Sequence, residues 1–433
     1  MKRDTFTMKG NICFSRDKDT LEIHENSYVV CEEGICKGVF RALPEEYRHL
    51  PCTDYGDRLI IPGLVDLHLH APQYAFRGLG MDLELIDWLN THTFQEEQKY
   101  ADPGYAGKAY EIFVEDLVKS GTTRACIFAT IHREATLLLM DLLEKAGIAA
   151  YVGKVNMDRN SPEYLCETDA QTSADDTENW LEQCEGRYER VKPILTPRFT
   201  PSCTDELMGQ LSKIQKKYRL PMQSHLSENQ GEIQWVSELC PDTAFYGQAY
   251  DKFDMFGGAC PTIMAHCVHS GEEEIELMRR QNVFVAHCPQ SNTNLSSGVA
   301  PVRTYLEKGV KMGLGSDIAA GYSLSIFRAM ADAVQCSKLR WRLTDQSLAP
   351  LKVEEAFFLG TRGGGEFFGK VGSFEDGYEF DALVLDDTTL RHPQELSVHD
   401  RLERFIYLSD DRNMTAKYVQ GRKIFDHAGN DLP

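Results

Sequence analysis

An apolar run with β-type composition ends in two histidines near the start of the chain: residues 61–70 read Ile61-Pro62-Gly63-Leu64-Val65-Asp66-Leu67-His68-Leu69-His70. Residues two apart on a strand face the same side, so His68 and His70 are expected to point together into the interior of a barrel. Leu67 and Leu69 would then lie on the outer face, against helices. Polar residues at the carboxyl end of a buried strand are typical of barrel enzymes.

Three further runs of this kind end in a histidine or a carboxylate. Residues 221–228 place His225 at a strand end and Glu228 three residues later, residues 262–266 close on His266, and residues 310–317 end on Asp317. Because the carboxyl ends of parallel barrel strands meet at one face, we expect these side chains to converge.

The region from about residue 62 to residue 370 alternates between such runs and amphipathic stretches. The runs end near Leu67, Phe128, Gly153, Leu195, Ser224, Ala265, Ala286 and Leu314, and helical patterns cover residues 105–120, 134–146, 205–217 and 271–281. Eight strands that alternate with helices predict a (β/α)₈ barrel, as in TIM-like folds. A doubly wound open sheet is the alternative, but no Gly-rich phosphate loop follows the first run.

The two ends of the chain have a different pattern, with short apolar runs separated by turns. In the C-terminal end these runs are residues 382–385, 402–407, 416–420 and 421–425. Neither end is large enough to hold a core alone, so we expect them to combine. The predicted organisation is a composite β-sandwich domain, residues 1–61 and 371–433, and a barrel domain, residues 62–370.

The predicted site has the chemistry of a metal centre. Imidazoles with one carboxylate suit a divalent ion such as Zn²⁺ or Fe²⁺, with Zn²⁺ the first choice. Zinc lowers the pKa of a water ligand towards about 7, which supports hydrolysis at neutral pH. A carboxylate that is not a ligand can move protons, and we assign this role to Glu228.

Composition limits the other classes of function. The chain has 433 residues and a formal net charge of −20, which argues against nucleic-acid or anionic-membrane binding. No stretch approaches the roughly 18 unbroken apolar residues of a membrane span, and residues 1–5 do not begin a signal peptide. The 13 scattered cysteines, without a CxxC pair, predict reduced thiols and a cytoplasmic protein.

Several motifs together resemble the amidohydrolase superfamily and, within it, the guanine deaminases. They are residues 62–70, His70-Ala71-Pro72-Gln73-Tyr74, Pro197-Arg198-Phe199, His225-Leu226-Ser227-Glu228, the strand-end His266, residues 286–292 (Ala-His-Cys-Pro-Gln-Ser-Asn) and Gly315-Ser316-Asp317. The similarity covers nearly the whole chain. Departures are small: Leu67 stands where the family commonly has Thr, and Ala320 where glycine is common.

The resemblance implies a zinc-dependent enzyme and assigns a role to each of several residues. It implies one metal ion, held by His68, His70, His225 and Asp317. It implies that the enzyme hydrolyses guanine to xanthine and ammonia. Asp317 would take a proton from the attacking water, Glu228 would protonate a ring nitrogen and the leaving amine, and His266 would lie beside the water. A homodimer is also implied.

The resemblance further implies the groups that contact the purine. Gln73, Arg198 and Phe199 are expected to contact it, and Trp88, in the segment 83–90, is expected near the pocket. Gln73 can donate and accept at once, and Arg198 can donate to O6 or N7 without changing protonation. A helix anchored by Trp88 is the alternative for that segment.

Other readings remain open. A binuclear hydrolase would need a lysine at the end of the fourth strand, whereas Lys192 begins it. A related deaminase or chlorohydrolase that acts on another ring would differ from a guanine deaminase only in the residues that contact the ring, here Gln73, Arg198 and Phe199. A non-catalytic scaffold with the same barrel should have lost metal ligands that this chain keeps. A zinc deaminase of the cytidine type would need an H-x-E motif together with a P-C-x-x-C motif, and the sequence lacks the second.

Overall fold

The computed structural model of the chain describes residues 4–427. Four strands come first: β1 (Phe6–Ser15), β2 (Leu21–Glu32), β3 (Ile35–Phe40) and β4 (Cys52–Pro62). β1 pairs antiparallel with β2 and parallel with β4, and β2 pairs with β3. A bulge at Asn26, whose N–H donates to Asn11 Oδ1 over 3.0 Å, lets β2 continue through the turn-like residues 24–27.

The middle of the chain carries ten short parallel strands. They are β5 (Leu64–His70), β6 (Thr122–Phe128), β7 (Ala149–Gly153), β8 (Val155–Asn156), β9 (Val191–Pro193), β10 (Thr196–Pro197), β11 (Met222–Leu226), β12 (Thr262–His266), β13 (Phe284–His287) and β14 (Lys311–Leu314). β8 and β10 form a separate two-stranded sheet. The other eight form two four-stranded parallel sheets, in the orders β5-β6-β7-β9 and β11-β12-β13-β14.

Contacts at both seams close these eight strands into the predicted (β/α)₈ barrel. Leu195 forms a parallel bridge with Met222 at one seam. At the other seam, Asp317 N–H donates to His68 O over 2.9 Å and His70 N–H donates to Ile318 O over 3.1 Å.

A longer helix follows each barrel strand. These helices are Pro103–Lys119, Arg133–Ala146, Ala170–Cys184, Asp205–Tyr218, Gln230–Leu239, Glu272–Gln281, Val302–Lys308 and Ile326–Leu343. Shorter helices are Leu85–Trp88, Phe94–Glu97, Gln248–Asp251, Pro289–Asn294 and Val353–Phe358. The four helical patterns found in the sequence agree with these bounds to within two residues.

One orientation predicted for β5 is wrong. Leu69 packs in the main core, as expected, but Leu67 packs with Val65 and with residues of β6, β12 and β13 inside the barrel. The register between β5 and β6 shifts between Asp66 and Leu69, so that β5 carries an extra residue. This irregularity breaks strict alternation and allows the consecutive residues Leu67 and His68 both to face the interior.

The C-terminal end completes the first sheet. Its strands are β15 (Ala382–Leu385), β16 (Met414–Val419) and β17 (Arg422–Asp426), and the full order is β17-β16-β15-β4-β1-β2-β3. Both chain ends therefore contribute to one seven-stranded sheet, while the domain limits at residues 61 and 371 stay a prediction.

The strand predicted at residues 402–407 is wrong, because Val398–Leu408 is a helix. Ser397 caps it by accepting from Asp400 N–H, and Leu402, Phe405 and Ile406 are buried with Val398. Their spacing follows a helical face rather than the alternation of a strand.

Two polar contacts join the composite sheet to the barrel. Arg124 at the start of β6 donates to both carboxylate oxygens of Asp381, over 2.5 and 3.0 Å. The buried Lys417 of β16 donates to three carbonyl oxygens, those of Leu117, Val118 and Ser120, at the end of helix Pro103–Lys119. Within residues 4–427, no helix is both long and apolar enough to cross a membrane.

Candidate active site

A cavity of about 420 Å³ opens at the carboxyl ends of the barrel strands. Every residue that the sequence analysis assigned to the site lines it, except His68, which lies beneath its floor. The lining residues are His70, Gln73, Leu85, Trp88, Leu89, Arg198, Phe199, His225, Glu228, Glu232, His266, Leu295, Asp317 and Ala320. The strand ends therefore converge as the alternation predicted.

The floor of the cavity is a cluster of imidazoles around one carboxylate. Asp317 Oδ1 lies 3.2 Å from His68 Nε2 and 3.5 Å from His70 Nε2, and His70 Nε2 lies 3.2 Å from His225 Nε2. Two overlapping groups, His68 with His70 and Asp317 and His68 with His225 and His266, bring their ligating atoms within 4.8 Å of one another. His68, His70, His266 and Asp317 are buried, and His225 is partly exposed.

This cluster fits a divalent metal ion. Neither ring nitrogen of the fully buried His68 makes a hydrogen bond within residues 4–427, which is costly for a histidine without a ligand. His225 Nδ1 donates to Arg198 O over 2.6 Å, which leaves Nε2 free to coordinate. Burial, followed by the nearby His68 ring, lowers the pKa of His70 and of His225, so both rings are held in the neutral form that binds metals.

Asp317 and Glu228 have opposite electrostatic environments. Burial alone would raise the pKa of Asp317, but the neighbouring His68, His266 and His70 lower it overall, so this carboxylate is ionised. Burial, and then the charge of Asp317, raise the pKa of Glu228 well above its ordinary value. Glu228 therefore holds a proton where Asp317 does not, and carboxyl groups with separated pKa values take different roles.

His266 lies between these two carboxyl groups. Its Nε2 is 3.4 Å from Glu228 Oε2 and 3.8 Å from Asp317 Oδ2. Its Nδ1 donates to Asn292 Oδ1 over 2.9 Å, which directs Nε2 towards the cavity. His266 and Asp317 both have left-handed backbones, with φ of 73° and 46°, and such strain in residues with a Cβ is concentrated at functional sites.

The wall opposite the cluster is polar, and the sequence predicted only some of its residues. Arg198 and Gln73 line it, as expected, but both bind the buried Glu97, which the sequence analysis missed. Glu97 lies in the polar run Gln95-Glu96-Glu97-Gln98, whose composition resembles a solvated helix end. Only its position after a predicted pocket segment could have suggested a role.

Apolar side chains close the sides of the cavity. Phe199 is 8% exposed and packs edge-on to His225, with ring centroids 6.5 Å apart. Trp88 is buried and its Nε1 donates to Leu79 O, so the indole presents an apolar surface while its polar atom is used within its own segment. Trp88 therefore lies beside the cavity and is fixed within its own segment, and its contact with a substrate stays a prediction. Phe128, at the end of β6, packs against His68, His70 and His225, a contact the sequence analysis did not include.

Known proteins share this architecture. A model of the amidohydrolase family matches residues 59–424. A guanine deaminase of Dictyostelium discoideum is 39% identical, with 96% of this chain and 97% of the relative covered, and one of Mus musculus is 41% identical, with 88% and 85% covered. The crystal structure of guanine deaminase from C. acetobutylicum, with guanine bound in its active site, has 50% identity and a TM-score of 0.95 over 98% of this chain and 100% of that one.

The match extends across both the barrel and the composite sheet, and the relatives are aligned over nearly their full length. This chain therefore belongs to the amidohydrolase family, in its guanine deaminase branch.

Proposed function

We propose that this chain catalyses the hydrolytic deamination of guanine to xanthine and ammonia, a step of purine catabolism and salvage. The observation that carries the proposal is one buried cavity in which a histidine and carboxylate cluster faces a polar wall of Gln73 and Arg198. The histidine and carboxylate cluster provides hydrolytic chemistry, and the polar wall provides hydrogen bonds for a nucleobase. The similarity to a structure with bound guanine supports the same substrate.

We assign the metal ligands as His68, His70, His225 and Asp317, with Zn²⁺ as the ion. Three neutral imidazoles and one carboxylate suit zinc, and Fe²⁺ would also be accommodated. When bound, the ion would activate water for attack at neutral pH. The enzyme is expected to need one ion per chain.

The wall residues orient the base. Arg198 keeps its charge at every pH of interest and offers directional N–H donors to a carbonyl oxygen or ring nitrogen. Phe199 covers one side of the cavity and excludes water from the ring. These contacts would hold C2, the carbon that bears the amino group, over the histidine cluster.

Proton transfer falls to two carboxyl groups. Asp317 is ionised and accepts one proton from the attacking water, while Glu228 carries a proton that it delivers to the ring nitrogen next to C2. Glu228 then takes the proton that remains on the attacking oxygen and passes it to the departing amine, and the proton held by Asp317 returns to Glu228. His266, whose Nδ1–H is bound to Asn292, presents Nε2 between these carboxyl groups as an acceptor that holds the attacking water in place. Water and guanine are consumed, and xanthine and ammonia are formed.

The same residues argue against the other hydrolases. Lys192, at the start of β9, is exposed and does not line the cavity, so it is not placed to bridge two metal ions. The complete set of ligands and Glu228 also argues against a non-catalytic scaffold.

The test is an ultraviolet and ammonia-release assay of the purified protein with guanine, adenine, cytosine and melamine. We expect turnover of guanine and little of the others. Turnover of adenine without guanine would reject the substrate, and no ammonia from any base would reject the deaminase.

A second experiment identifies the metal. Chelation should abolish ammonia release, and adding Zn²⁺ or Fe²⁺ singly to the chelated protein shows which ion restores it, with elemental analysis giving the stoichiometry. Full activity in a thoroughly metal-free protein would reject the metal assignment.

We also propose that the protein is a cytoplasmic homodimer. All 13 cysteines are free, which suits a reducing compartment, and the dimer rests on resemblance to the family. Light scattering of the purified protein tests the dimer, since a monomer mass would exclude it.

A further inference from the structure

The buried carboxylate of Glu97 links the two polar residues of the cavity wall. It is 1% exposed, and it accepts from Arg198 Nη1 over 2.6 Å, from Arg198 Nη2 over 3.2 Å and from Gln73 Nε2 over 3.0 Å. The segment that carries it, helix Phe94–Glu97, precedes the first long barrel helix. Burying a carboxylate this deeply costs free energy unless it is paired with a charge and hydrogen-bonded, as Glu97 is.

Glu97 fixes the orientation of the Gln73 amide. An ionised carboxylate only accepts, so the group facing Glu97 must be the amide nitrogen. The opposite end of the amide confirms the assignment, because Gln73 Oε1 accepts from the backbone N–H of Ala319 over 3.4 Å. The amide oxygen is therefore held towards the Asp317 side of the cavity, and the nitrogen towards Arg198.

Glu97 also neutralises Arg198. A buried guanidinium without a counter-charge would attract anions, including phosphates. Two of its N–H groups are bound to Glu97, and the rest of the guanidinium remains as a directional donor on a wall with no net charge. Such a wall suits a neutral base more than a nucleotide or an anionic ring.

We infer that Glu97 is a positioning residue that sets the substrate selectivity of the site, through Gln73 and Arg198. Building on the proposed function, the fixed pattern is a donor from Arg198 beside an acceptor from Gln73 Oε1. It matches a purine edge in which a carbonyl oxygen stands next to a ring N–H. This is the edge of 6-oxopurines, whereas a 6-aminopurine would place its own donor against Arg198 and leave both groups unpaired.

The experiment compares guanine with 2,6-diaminopurine, which has the same 2-amino group but an amino group at C6. In Glu97→Gln one of the two acceptor oxygens becomes an NH2 group that faces the N–H groups of Arg198, and the counter-charge of Arg198 is lost. The wall is then no longer held in one arrangement, so the Gln73 amide is free to turn. We expect kcat/KM for guanine to fall about 10- to 100-fold, chiefly through KM, and the preference for guanine over 2,6-diaminopurine to fall about 10-fold or more.

Glu96→Gln is the matched control. Glu96 is the adjacent buried carboxylate, but it binds Lys99 Nζ over 2.6 Å and Tyr105 Oη, away from the cavity. It should leave KM and the base preference as in the unaltered protein.

A double-mutant cycle separates this role from general damage. If Glu97 acts through Gln73, the effect of Glu97→Gln on KM should be smaller in a Gln73→Ala background. Fully multiplicative effects, or an unchanged base preference in Glu97→Gln, would overturn the inference. If Glu97→Gln does not fold, Glu97→Asp replaces it. Because Asp keeps the charge but has a shorter side chain, we expect a smaller rise in KM for guanine. An unchanged KM in Glu97→Asp would also overturn the inference. The unaltered protein is measured in parallel, so that its failure to turn over guanine would reject the proposed function and not the role of Glu97.

Discussion

At the residue scale, Glu228 is the group on which the proposed proton transfers depend. In Glu228→Gln the cavity keeps its shape and its metal ligands, but the side chain no longer has an acidic proton. We expect kcat to fall by about 10²- to 10⁴-fold with metal content unchanged, measured by the guanine assay and elemental analysis. The exposed Glu238, on helix Gln230–Leu239 that follows Glu228, provides the control Glu238→Gln, which should be fully active. Near-normal turnover by Glu228→Gln would remove the shuttle role.

Asn292 is a second residue-scale test, because it acts through a ring and not on the substrate. Asn292→Ala removes the acceptor of His266 Nδ1, so the ring can turn or change tautomer. Loss of such a partner typically costs about 10- to 100-fold, and we expect kcat to fall in that range while KM changes little. Thr293→Ala, which removes an exposed hydroxyl bonded to Pro289 O and in contact with Cys336 Sγ, away from the cavity, should retain activity. Equal activity of the two variants would contradict this role of Asn292.

The residues that the sequence revealed are those whose chemistry is tied to strand ends. His68, His225 and Asp317 stand at such ends, and their convergence follows from the barrel itself. Glu97 was missed because it lies in a short connecting helix, where nothing in a polar run distinguishes a buried carboxylate from a solvated one. Its partners come from segments 24 and 101 residues away.

At the element scale, length and flanking residues decided what could be predicted. The ends of β6 and β7 are at Phe128 and Gly153, as the sequence indicated, because each closes a short apolar run. The run 402–407 was misread because six residues of a helix with a wide apolar face look like a short strand. The bulge in β5 left no sequence signal, since it arises from pairing with β6.

Replacing Arg124 tests how the composite sheet is attached to the barrel. Its buried guanidinium donates to Asp381 twice and to Glu379 once, over 2.8 Å. Arg124→Met would leave the Asp381 carboxylate buried and without this charge, so we expect a loss of about 3–5 kcal/mol in the free energy of unfolding, measured by urea denaturation.

The control for Arg124 is an exposed pair. Arg279 binds Glu276 on the surface of helix Glu272–Gln281, and Arg279→Met should change the free energy of unfolding by less than about 1 kcal/mol. Arg124 lies at the amino-terminal end of β6, away from the cavity, so the folded fraction of Arg124→Met should keep its kcat. Equal stability of the two variants would show that the sheet does not depend on this contact.

At the scale of the whole molecule, the acidic charge and the thiols have separate consequences. The net charge of −20 disfavours polyanions, but a neutral nucleobase carries no phosphate, and the wall around Arg198 and Glu97 has no net charge. None of the 13 cysteines belongs to the histidine and carboxylate cluster of the cavity floor. Their contribution is to stability, and it depends on pH.

Buried thiols should make the protein lose stability in alkaline solution. Burial raises the pKa of Cys13, Cys31, Cys36, Cys184 and Cys203 to about 12. In the unfolded chain these thiols ionise near pH 8.5, so above that pH the unfolded state binds fewer protons than the folded state. The free energy of unfolding therefore falls as pH rises, by up to about 1.4 kcal/mol per pH unit for each thiol.

One buried amine acts in the opposite direction. Burial lowers the pKa of Lys417 to about 7, so between pH 7 and about 10 the folded state binds fewer protons at this site than the unfolded state, and stability rises with pH. One lysine offsets at most one thiol, so the five thiols determine the sign above pH 9. Urea denaturation of the metal-loaded protein with reductant, at pH 7.5, 8.5, 9.5 and 10, should show a steepening loss. In the double variant Cys13→Ala with Cys203→Ala, the free energy of unfolding at pH 7.5 should be lower, because two buried side chains are missing. It should then fall less steeply as the pH rises. A flat curve above pH 8.5, or the same slope in the double variant, would show that these thiols do not control the alkaline limit.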